Sequence, residues 1–264
     1  SQSLASFQAA PEEATRPDRE PLVYGPRSGD GLQAILGTGD LGVGSNRFGF
    51  VLTSSEGFVT GPTAKVVSRY SPIDGTPGED QESVVAEYQP WPYGNRGLYA
   101  TELAFDRAGR WGVTIEIDGG EGAMSSADLF FEVGERTEAP DVGNPAVKSI
   151  SKTADDVDSL SDLTTGSLQD EDLYQLTIAE AVGSGIPTVI VFASPSFCTN
   201  AVCGPQVEVL QQLKDEYKGQ ANFVHVDFYD NPVAIQGDLS NSELSSAVIE
   251  WRLPSIEWTF VVDA

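Results

Sequence analysis

The sequence predicts two domains, an all-β sandwich followed by a layered α/β domain. The chain has 264 residues, which is long enough for two domains. Between Leu22 and Glu135, short stretches of alternating apolar and polar residues recur between Gly, Pro, Asn and Asp clusters. After residue 172 the pattern changes to continuous apolar runs that alternate with amphipathic stretches, as in layered α/β folds.

The charge balance excludes several classes of partner. The chain carries 40 acidic and 15 basic side chains, so its net charge is −25 and its pI is about 4.1. Nucleic acids and anionic lipid surfaces would be repelled. The negative charge is spread over both halves, which is typical of a surface adapted to solubility outside the cell or in high salt. No apolar run approaches the roughly 20 residues of a membrane span.

Residues 1–21 are predicted to be a disordered tether. Three prolines stand among charged and small residues without periodicity, so the segment is too polar to offset its ordering entropy. The first residues lack the basic start and apolar centre of a signal peptide, so any export signal has already been removed. We expect an extracytoplasmic protein, at the cell surface or in the periplasm, anchored through this N-terminal stalk or a lipid.

Residues 22–136 are predicted to form an immunoglobulin-like sandwich, because about seven short strands without helical periodicity are typical of that fold. Trp111–Ile117 places four apolar side chains on one face. A tight hairpin is expected between Phe105 and Trp111, with Gly109 at a positive φ. The predicted strands are Leu32–Leu36, Asn46–Thr53, Ala64–Tyr70, Ser83–Tyr88, Leu98–Phe105, Trp111–Ile117 and Leu129–Val133.

Residues 137–172 are predicted to be an acidic linker that leads into the second domain, residues 173–264. In that domain Thr177 and Glu180 form a capping-box pattern at the start of a short helix. The other predicted elements are a buried strand Thr188–Phe192, a helix after Pro205, a strand Phe223–Phe228, a helix around Leu244–Trp251 and a strand Ile256–Val262.

The two cysteines, Cys198 and Cys203, lie between a predicted buried strand and the start of a helix. Backbone amides at a helix N-terminus stabilise a thiolate and lower the pKa of a cysteine there. In an exported chain with no other cysteine, a disulfide between the two is the default expectation. Its role stays open between a redox pair and a structural bridge that fixes the turn.

At this segment the second half resembles the thioredoxin superfamily. Phe197 precedes Cys198, Cys203 is followed by Gly-Pro, and Pro254 stands between a helix and a strand, where that fold has a cis-proline. From about residue 30 to 264, the chain is similar to exported bacterial proteins that combine a β-sandwich with a thioredoxin-like domain. The resemblance implies that Cys198 attacks, Cys203 resolves and Pro254 shapes a groove for substrate peptides.

The sequence also departs from that family. Four residues separate the cysteines instead of two, and if Cys203 is instead aligned with the attacking cysteine, Gln206 occupies the resolving position. The chain stops at Ala264, before the last strand and helix of the thioredoxin fold. We therefore expect an incomplete chain or a partner that covers the edge at Ile256–Val262.

Other candidate residues have a chemical and a structural interpretation. His225 is a copper ligand together with the cysteines, or a packed histidine within a strand, and the second is favoured. Asp227 and Asp230 assist proton transfer to a thiol, or are solvated at the end of a strand, and again the second is favoured. Trp91 belongs to a contact patch or plugs the β domain. No metal or cofactor site is predicted.

Two functions follow from these observations. The first is an extracytoplasmic, thioredoxin-like thiol–disulfide oxidoreductase with a Cys-x4-Cys pair. The alternative is a non-catalytic accessory subunit of a cell-envelope or membrane-associated assembly, bound to protein partners and stapled by a structural disulfide. The sequence leaves open whether the chain is an enzyme, because one histidine and no hydrolase motif exclude most hydrolytic mechanisms but not thiol chemistry.

Overall fold

The N-terminal half consists of antiparallel strands. The structure, a computed structural model, describes residues 22–72, 78–92, 94–118, 124–197, 205–235 and 238–264. The predicted tether, residues 1–21, lies outside these ranges. The strands are β1 Gln33–Leu36, β2 Gly44–Ser54, β3 Gly57–Phe58, β4 Thr63–Tyr70, β5 Asp80–Pro90, β6 Gly97–Phe105, β7 Gly109–Asp118 and β8 Met124–Val133.

These strands form one sheet with the order β1-β2-β6-β5-β4-β7-β8, and β3 is paired only with β2. The end strands β1 and β8 also contact each other, so the sheet is a nearly closed barrel. The predicted immunoglobulin-like sandwich of two sheets is therefore wrong. Alternation indicates that each strand buries one face, and a barrel and a sandwich meet that condition equally well. Long, twisted strands such as β2 and β5 allow a single sheet to coil on itself.

The strand, tight turn and strand predicted at Phe105–Trp111 are confirmed, but the two strands do not pair as a hairpin. Gly109 has the expected positive φ of 120°, and a Cβ there would lie 2.9 Å from the Tyr70 hydroxyl. However, β6 pairs with β2 and β5, whereas β7 pairs with β4 and β8. The turn therefore connects two strands that are not neighbours in the sheet.

Aromatic side chains fill the barrel. Trp111 is fully buried, packs edge-on against Tyr70 and Phe105, and donates its indole N–H to the Arg107 carbonyl at 3.0 Å. Trp91 lies outside this core, on the connection between β5 and β6, where the Arg96 guanidinium stacks on its ring at 4.7 Å. The interpretation of Trp91 as a plug of the β domain is therefore not supported.

The C-terminal half contains a small mixed sheet. Strand β9 is central, parallel to β10 and antiparallel to β11. Helix α2 covers β9 and β10, while α1 and α3 are each five residues long. The elements are α1 Ile178–Val182, β9 Thr188–Phe192, α2 Gln206–Glu216, β10 Asn222–Val226, α3 Ser246–Glu250 and β11 Trp258–Val262.

The predicted thioredoxin-like α/β domain is wrong. In the part of the chain that the structure describes, strands far exceed helices, and the three α-helices have only five, eleven and five residues. Helix α1 ends at Val182, with Gly183 as its C-cap, and α3 ends at Glu250, with Trp251 as its C-cap. Pro254 follows three residues after Trp251 and cannot continue a helix. Each of these helices is therefore little more than one turn long. Short 3-10 turns take the place of longer helices, and the protein is mostly β.

The predicted linker contains packed turns. Turns at Ala154–Asp156, Leu160–Asp162 and Glu171–Tyr174 fold this segment against β10 and α2, with Leu173 and Tyr174 buried. The domain limits 22–136, 137–172 and 173–264 stay predictions. We call residues 145–177 the acidic segment.

Ion pairs of one lysine of α2, Lys214, join the acidic segment to this helix. The Lys214 ammonium group lies 2.8 Å from the Asp170 carboxylate and 3.1 Å from that of Asp172. Gln211, one turn earlier on α2, also donates to Asp170 at 3.0 Å. Lys214 is largely buried, so this ion pair is less screened than the surface pairs of the protein.

A single aspartate holds the chain where it leaves the barrel. The Asp40 carboxylate accepts hydrogen bonds from the backbone N–H groups of Glu138, at 2.8 Å, and Ala139, at 2.9 Å. After this point the chain turns through residues 141–144, where Val142 is 99% exposed. The connection between the two halves is therefore hydrogen-bonded to the barrel at Glu138 and Ala139, and the turn that follows is exposed to solvent.

Among the described residues, no helix has both the length and the apolar character that crossing a membrane requires. Strand β11 lies at one edge of the small sheet and is paired only with β9 within the described ranges. Its Val261 side chain is 76% exposed.

Candidate functional site

The structure describes the residues on either side of the predicted cysteine site, up to Phe197 and from Pro205 onward. Cys198 and Cys203 themselves fall outside the described residues. Phe197 precedes them, packed edge-on against Tyr229, and Pro205 follows them as the N-cap of α2. The segment therefore connects the carboxyl end of β9 to the N-terminus of α2, as the sequence predicted.

Pro254 differs from its predicted geometry. It is half-buried in the turn between α3 and β11, and no peptide bond of the described residues is cis. The expected cis-proline is therefore wrong. The turn is instead shaped by two residues with positive φ, Arg252 at 52° and Glu257 at 73°. The trans form of an X–Pro bond is favoured by only about 0.5–1 kcal/mol, so sequence alone does not decide it.

A buried carboxylate anchors the end of β9. Asp227 is only 3% exposed, so the interpretation as a solvated residue is wrong. One carboxylate oxygen accepts from the Ser194 hydroxyl and the Tyr229 N–H, and the other accepts from the N–H and hydroxyl of Thr165, at 2.6 and 2.9 Å. One side chain thus joins β10, the residues after β9 and the acidic segment.

The acidic segment reaches the residues just before the cysteines. Ser196 donates its hydroxyl to the Thr165 carbonyl. Gly166 packs directly against Pro195, and a Cβ at that glycine would lie 3.0 Å from the proline ring. The polypeptide leading to Cys198 is therefore held from two sides, by Asp227 and by Thr165.

Burial dominates the electrostatics of Asp227. Removal from water raises the pKa of its carboxyl, while His225 and the hydrogen bonds from Ser194, Thr165 and Tyr229 act in the opposite direction. The neighbouring aspartate Asp230 is different, because it is partly exposed and forms an ion pair with Lys152 at 2.8 Å.

His225 is a packed histidine within β10. Its Nε2 lies 3.1 Å from the Ala193 carbonyl, which can only accept, so Nε2 carries the proton. Its Nδ1 lies 2.6 Å from the Tyr174 hydroxyl, which must then donate to it. Both ring nitrogens are engaged, and neither has a lone pair available for copper. Within the described ranges no three His, Cys, Asp or Glu side chains are grouped as metal ligands.

Both members of this pair are uncharged in the fold. His225 is 1% exposed, and burial lowers its pKa from 6.5, a shift that Asp227 partly opposes. Burial also raises the pKa of Tyr174 well above its usual value. Neutral imidazole and neutral phenol match the hydrogen-bond directions described above.

We expect the stability of the protein to depend on the protonation of His225. As the pH falls below about 6.5, the unfolded chain binds a proton that the folded chain does not, so the free energy of unfolding decreases, by at most about 1.4 kcal/mol per pH unit. The substitution His225→Gln removes the titrating imidazole and with it this pH-dependent part of the unfolding free energy. The difference in unfolding free energy between wild type and variant should shrink from about pH 7.5 to about pH 5 in urea titrations.

Tyr174→Phe is the matched control, since it removes one hydrogen bond to His225 and leaves the imidazole titratable. The difference in unfolding free energy between wild type and Tyr174→Phe should change much less with pH. If the unfolding free energies of wild type and His225→Gln differ by the same amount from about pH 7.5 to about pH 5, His225 does not stay neutral in the fold, and the prediction is contradicted.

A cavity of about 410 Å³ lies beside these residues, between the acidic segment and α3. His225, Asp227 and Tyr174 line its floor. His225, Asp227 and Asp230 were recognisable as candidates in the sequence, whereas Tyr174, Thr165, Ser194 and the cavity were not. One signal was available, because two polar residues within the apolar run Phe223–Phe228 require buried partners.

No protein-family model matches the chain, and no curated protein is similar to it in sequence.

Proposed function

We propose that the chain acts outside the cytoplasm in thiol–disulfide exchange, with Cys198 as the attacking and Cys203 as the resolving cysteine. One observation carries this proposal. The only two cysteines of the chain fall in one short segment, and the described residues on both sides of it are held in place. Two cysteines confined to one connection are suited to forming and breaking a mutual disulfide.

The surroundings of the segment support this role. It leads into α2, a helix of eleven residues, and the positive end of a helix lowers the pKa of a nearby thiol. The Asp227 and Thr165 contacts anchor the chain before Cys198. The likeness of the cysteine segment to thioredoxin-superfamily sequences adds support, and it concerns the motif alone, since the fold prediction was wrong.

In the proposed reaction, the Cys198 thiolate attacks one sulfur of a substrate disulfide. The substrate S–S bond breaks, a mixed disulfide with Cys198 forms, and the other substrate sulfur leaves as a thiolate. The Cys203 thiolate then attacks Cys198, which releases the second substrate sulfur and closes the Cys198–Cys203 disulfide. Two electrons pass from the chain to the substrate, and the reverse sequence oxidises a dithiol.

The test is the reduction potential of the cysteine pair, measured by equilibration with glutathione and thiol trapping. A potential above roughly −230 mV is expected for an exchange-competent pair. With its Cys198 thiol reduced, Cys203→Ser should accumulate a mixed disulfide with a model substrate such as scrambled ribonuclease, whose disulfides are mispaired, and Cys198→Ser should not. A potential below roughly −300 mV would mark a structural disulfide and overturn the proposal.

The second candidate is a non-catalytic accessory subunit of a cell-envelope assembly. The observation in its favour is strand β11, which pairs only with β9 within the described ranges and exposes Val261. An edge strand of this kind can pair with a strand of a protein partner. In this role the Cys198–Cys203 disulfide is structural, and a reduction potential below roughly −300 mV is the expected result. Tethering through residues 1–21 fits both candidates.

A further inference from the structure

The cavity beside α3 has no part in the proposed thiol chemistry. It opens between the acidic segment and α3, and its volume of about 410 Å³ lies in the range of small-molecule sites. The floor consists of Tyr174, His225 and Asp227, whose hydrogen bonds are formed within the protein. Recognition of a ligand therefore falls to the walls and the rim.

Part of the wall is aliphatic. Leu163 is buried at one side, and Leu244 is partly buried at another. At the mouth, Ile150 is 74% exposed and Ile249 is 61% exposed, although both line the cavity. An aliphatic chain of a ligand would cover these side chains and remove apolar surface from water, which is favourable.

Ser245 supplies a hydroxyl with no hydrogen-bond partner among the described residues. It lines the cavity with only 7% of its surface exposed. Although Ser245 is the N-cap residue of α3, its hydroxyl makes no capping bond, and it makes no hydrogen bond with any residue in the described ranges. The hydroxyl oxygen is accessible from the cavity. This hydroxyl is therefore available to a ligand.

The rim is negatively charged. Asp162 and Glu243 line the cavity, and their carboxylates have no ion-pair partner among the described residues. Lys152 is the one cation among the described lining residues, and its ammonium group is bound to the Asp230 carboxylate at 2.8 Å and to the Asp230 carbonyl at 2.9 Å. Two uncompensated carboxylates over an aliphatic wall favour a cation with an apolar body.

We propose that this cavity binds a small organic cation, a protonated alkylamine. The ammonium group is attracted by Asp162 and Glu243 and hydrogen-bonds to the Ser245 hydroxyl, and the alkyl chain packs against Leu244 and Ile249. An anionic ligand of the same size is repelled by the same rim, and a neutral one gains only the apolar contact. The site therefore selects by charge.

Three probes with the same alkyl body test the proposal on the full chain: hexylammonium, hexanol and hexanoate. In calorimetric titrations hexylammonium should bind most tightly, hexanol more weakly and hexanoate least. Backbone amide shifts in NMR should change at Ser245 and Ile249, and the affinity for hexylammonium should fall with added salt. Equal binding of hexanoate, or shifts spread over the acidic surface without a maximum at this cavity, would overturn the proposal.

Variants locate the site. Asp162→Asn and Glu243→Gln should each weaken hexylammonium binding by about two- to fivefold, with little effect on hexanol. Glu250→Gln, on α3 but outside the cavity lining, is the matched control and should bind like wild type. Ser245→Ala should also weaken binding at an unchanged melting temperature. If Glu250→Gln weakens binding as much as Glu243→Gln, only the general negative charge is being measured, and the proposal fails.

Discussion

Replacing Asp227 with alanine should lower the free energy of unfolding by about 3–5 kcal/mol. The carboxylate accepts four hydrogen bonds, from Ser194, Tyr229 and twice from Thr165, and alanine leaves these four donors, two of them buried and two partly buried, without an acceptor. Urea unfolding followed by tryptophan fluorescence measures the change. Asp227→Asn, which keeps one acceptor oxygen, should be intermediate.

Asp230→Ala is the matched control for this prediction. Asp230 lies three residues further on, is partly exposed and is paired with Lys152 at the surface, so its loss should cost at most about 1 kcal/mol. Equal effects of the two substitutions would mean that the hydrogen bonds to Asp227 do not contribute to stability as the geometry indicates.

Replacing Trp111 with alanine should destabilise the barrel by about 3–5 kcal/mol. The side chain is fully buried between Tyr70 and Phe105, and its removal leaves a large void and an Arg107 carbonyl without its donor. Hydrogen exchange provides the measurement, because it follows β7 and β9 separately. If the two halves fold independently, protection should fall in β7 and persist in β9.

Trp91→Ala serves as the comparison, since Trp91 is half-buried and stacks on Arg96 outside the barrel core. Its effect should stay near or below about 1 kcal/mol. A parallel loss of protection in β7 and β9 after Trp111→Ala would show that the halves unfold as one unit and would contradict the predicted domain limits.

Local patterns predicted the elements well where one short-range rule decides them. The run Thr188–Phe192 coincides with β9, because a continuous apolar stretch bounded by Pro187 and a polar turn fits a buried strand. The capping box of Thr177 and Glu180 is confirmed, with both reciprocal hydrogen bonds formed. These signals depend on residues within a few positions of each other.

Pairing between distant strands was not predictable in the same way. The alternation in Trp111–Ile117 correctly indicated that one face of β7 is buried, but alternation is the same whichever strands lie on either side. Gly109 has the positive φ of a hairpin turn, yet the strands it joins are separated by two others in the sheet. A sandwich was therefore predicted where a barrel-like sheet occurs.

The candidate site depends on contacts over long sequence distances. Asp227 was interpreted as solvated because it follows a strand, but its partner Thr165 lies 62 residues earlier, in a segment interpreted as a linker. Tyr174 likewise meets His225 across 51 residues. Neither spacing has a local signature, so these partners could not be found from the sequence.

The hydrogen bonds of Asp40 connect the barrel to the stretch of backbone that leads into the C-terminal half. Its carboxylate binds two consecutive backbone N–H groups, at Glu138 and Ala139, so a rotation about that stretch would break both bonds together. The exposed turn at residues 141–144 is closed by its own hydrogen bond, from the Asn144 N–H to the Asp141 carbonyl at 3.1 Å. Ala139 itself packs in the hydrophobic core of the C-terminal half, so the hydrogen bonds of Asp40 hold the start of that core against the barrel.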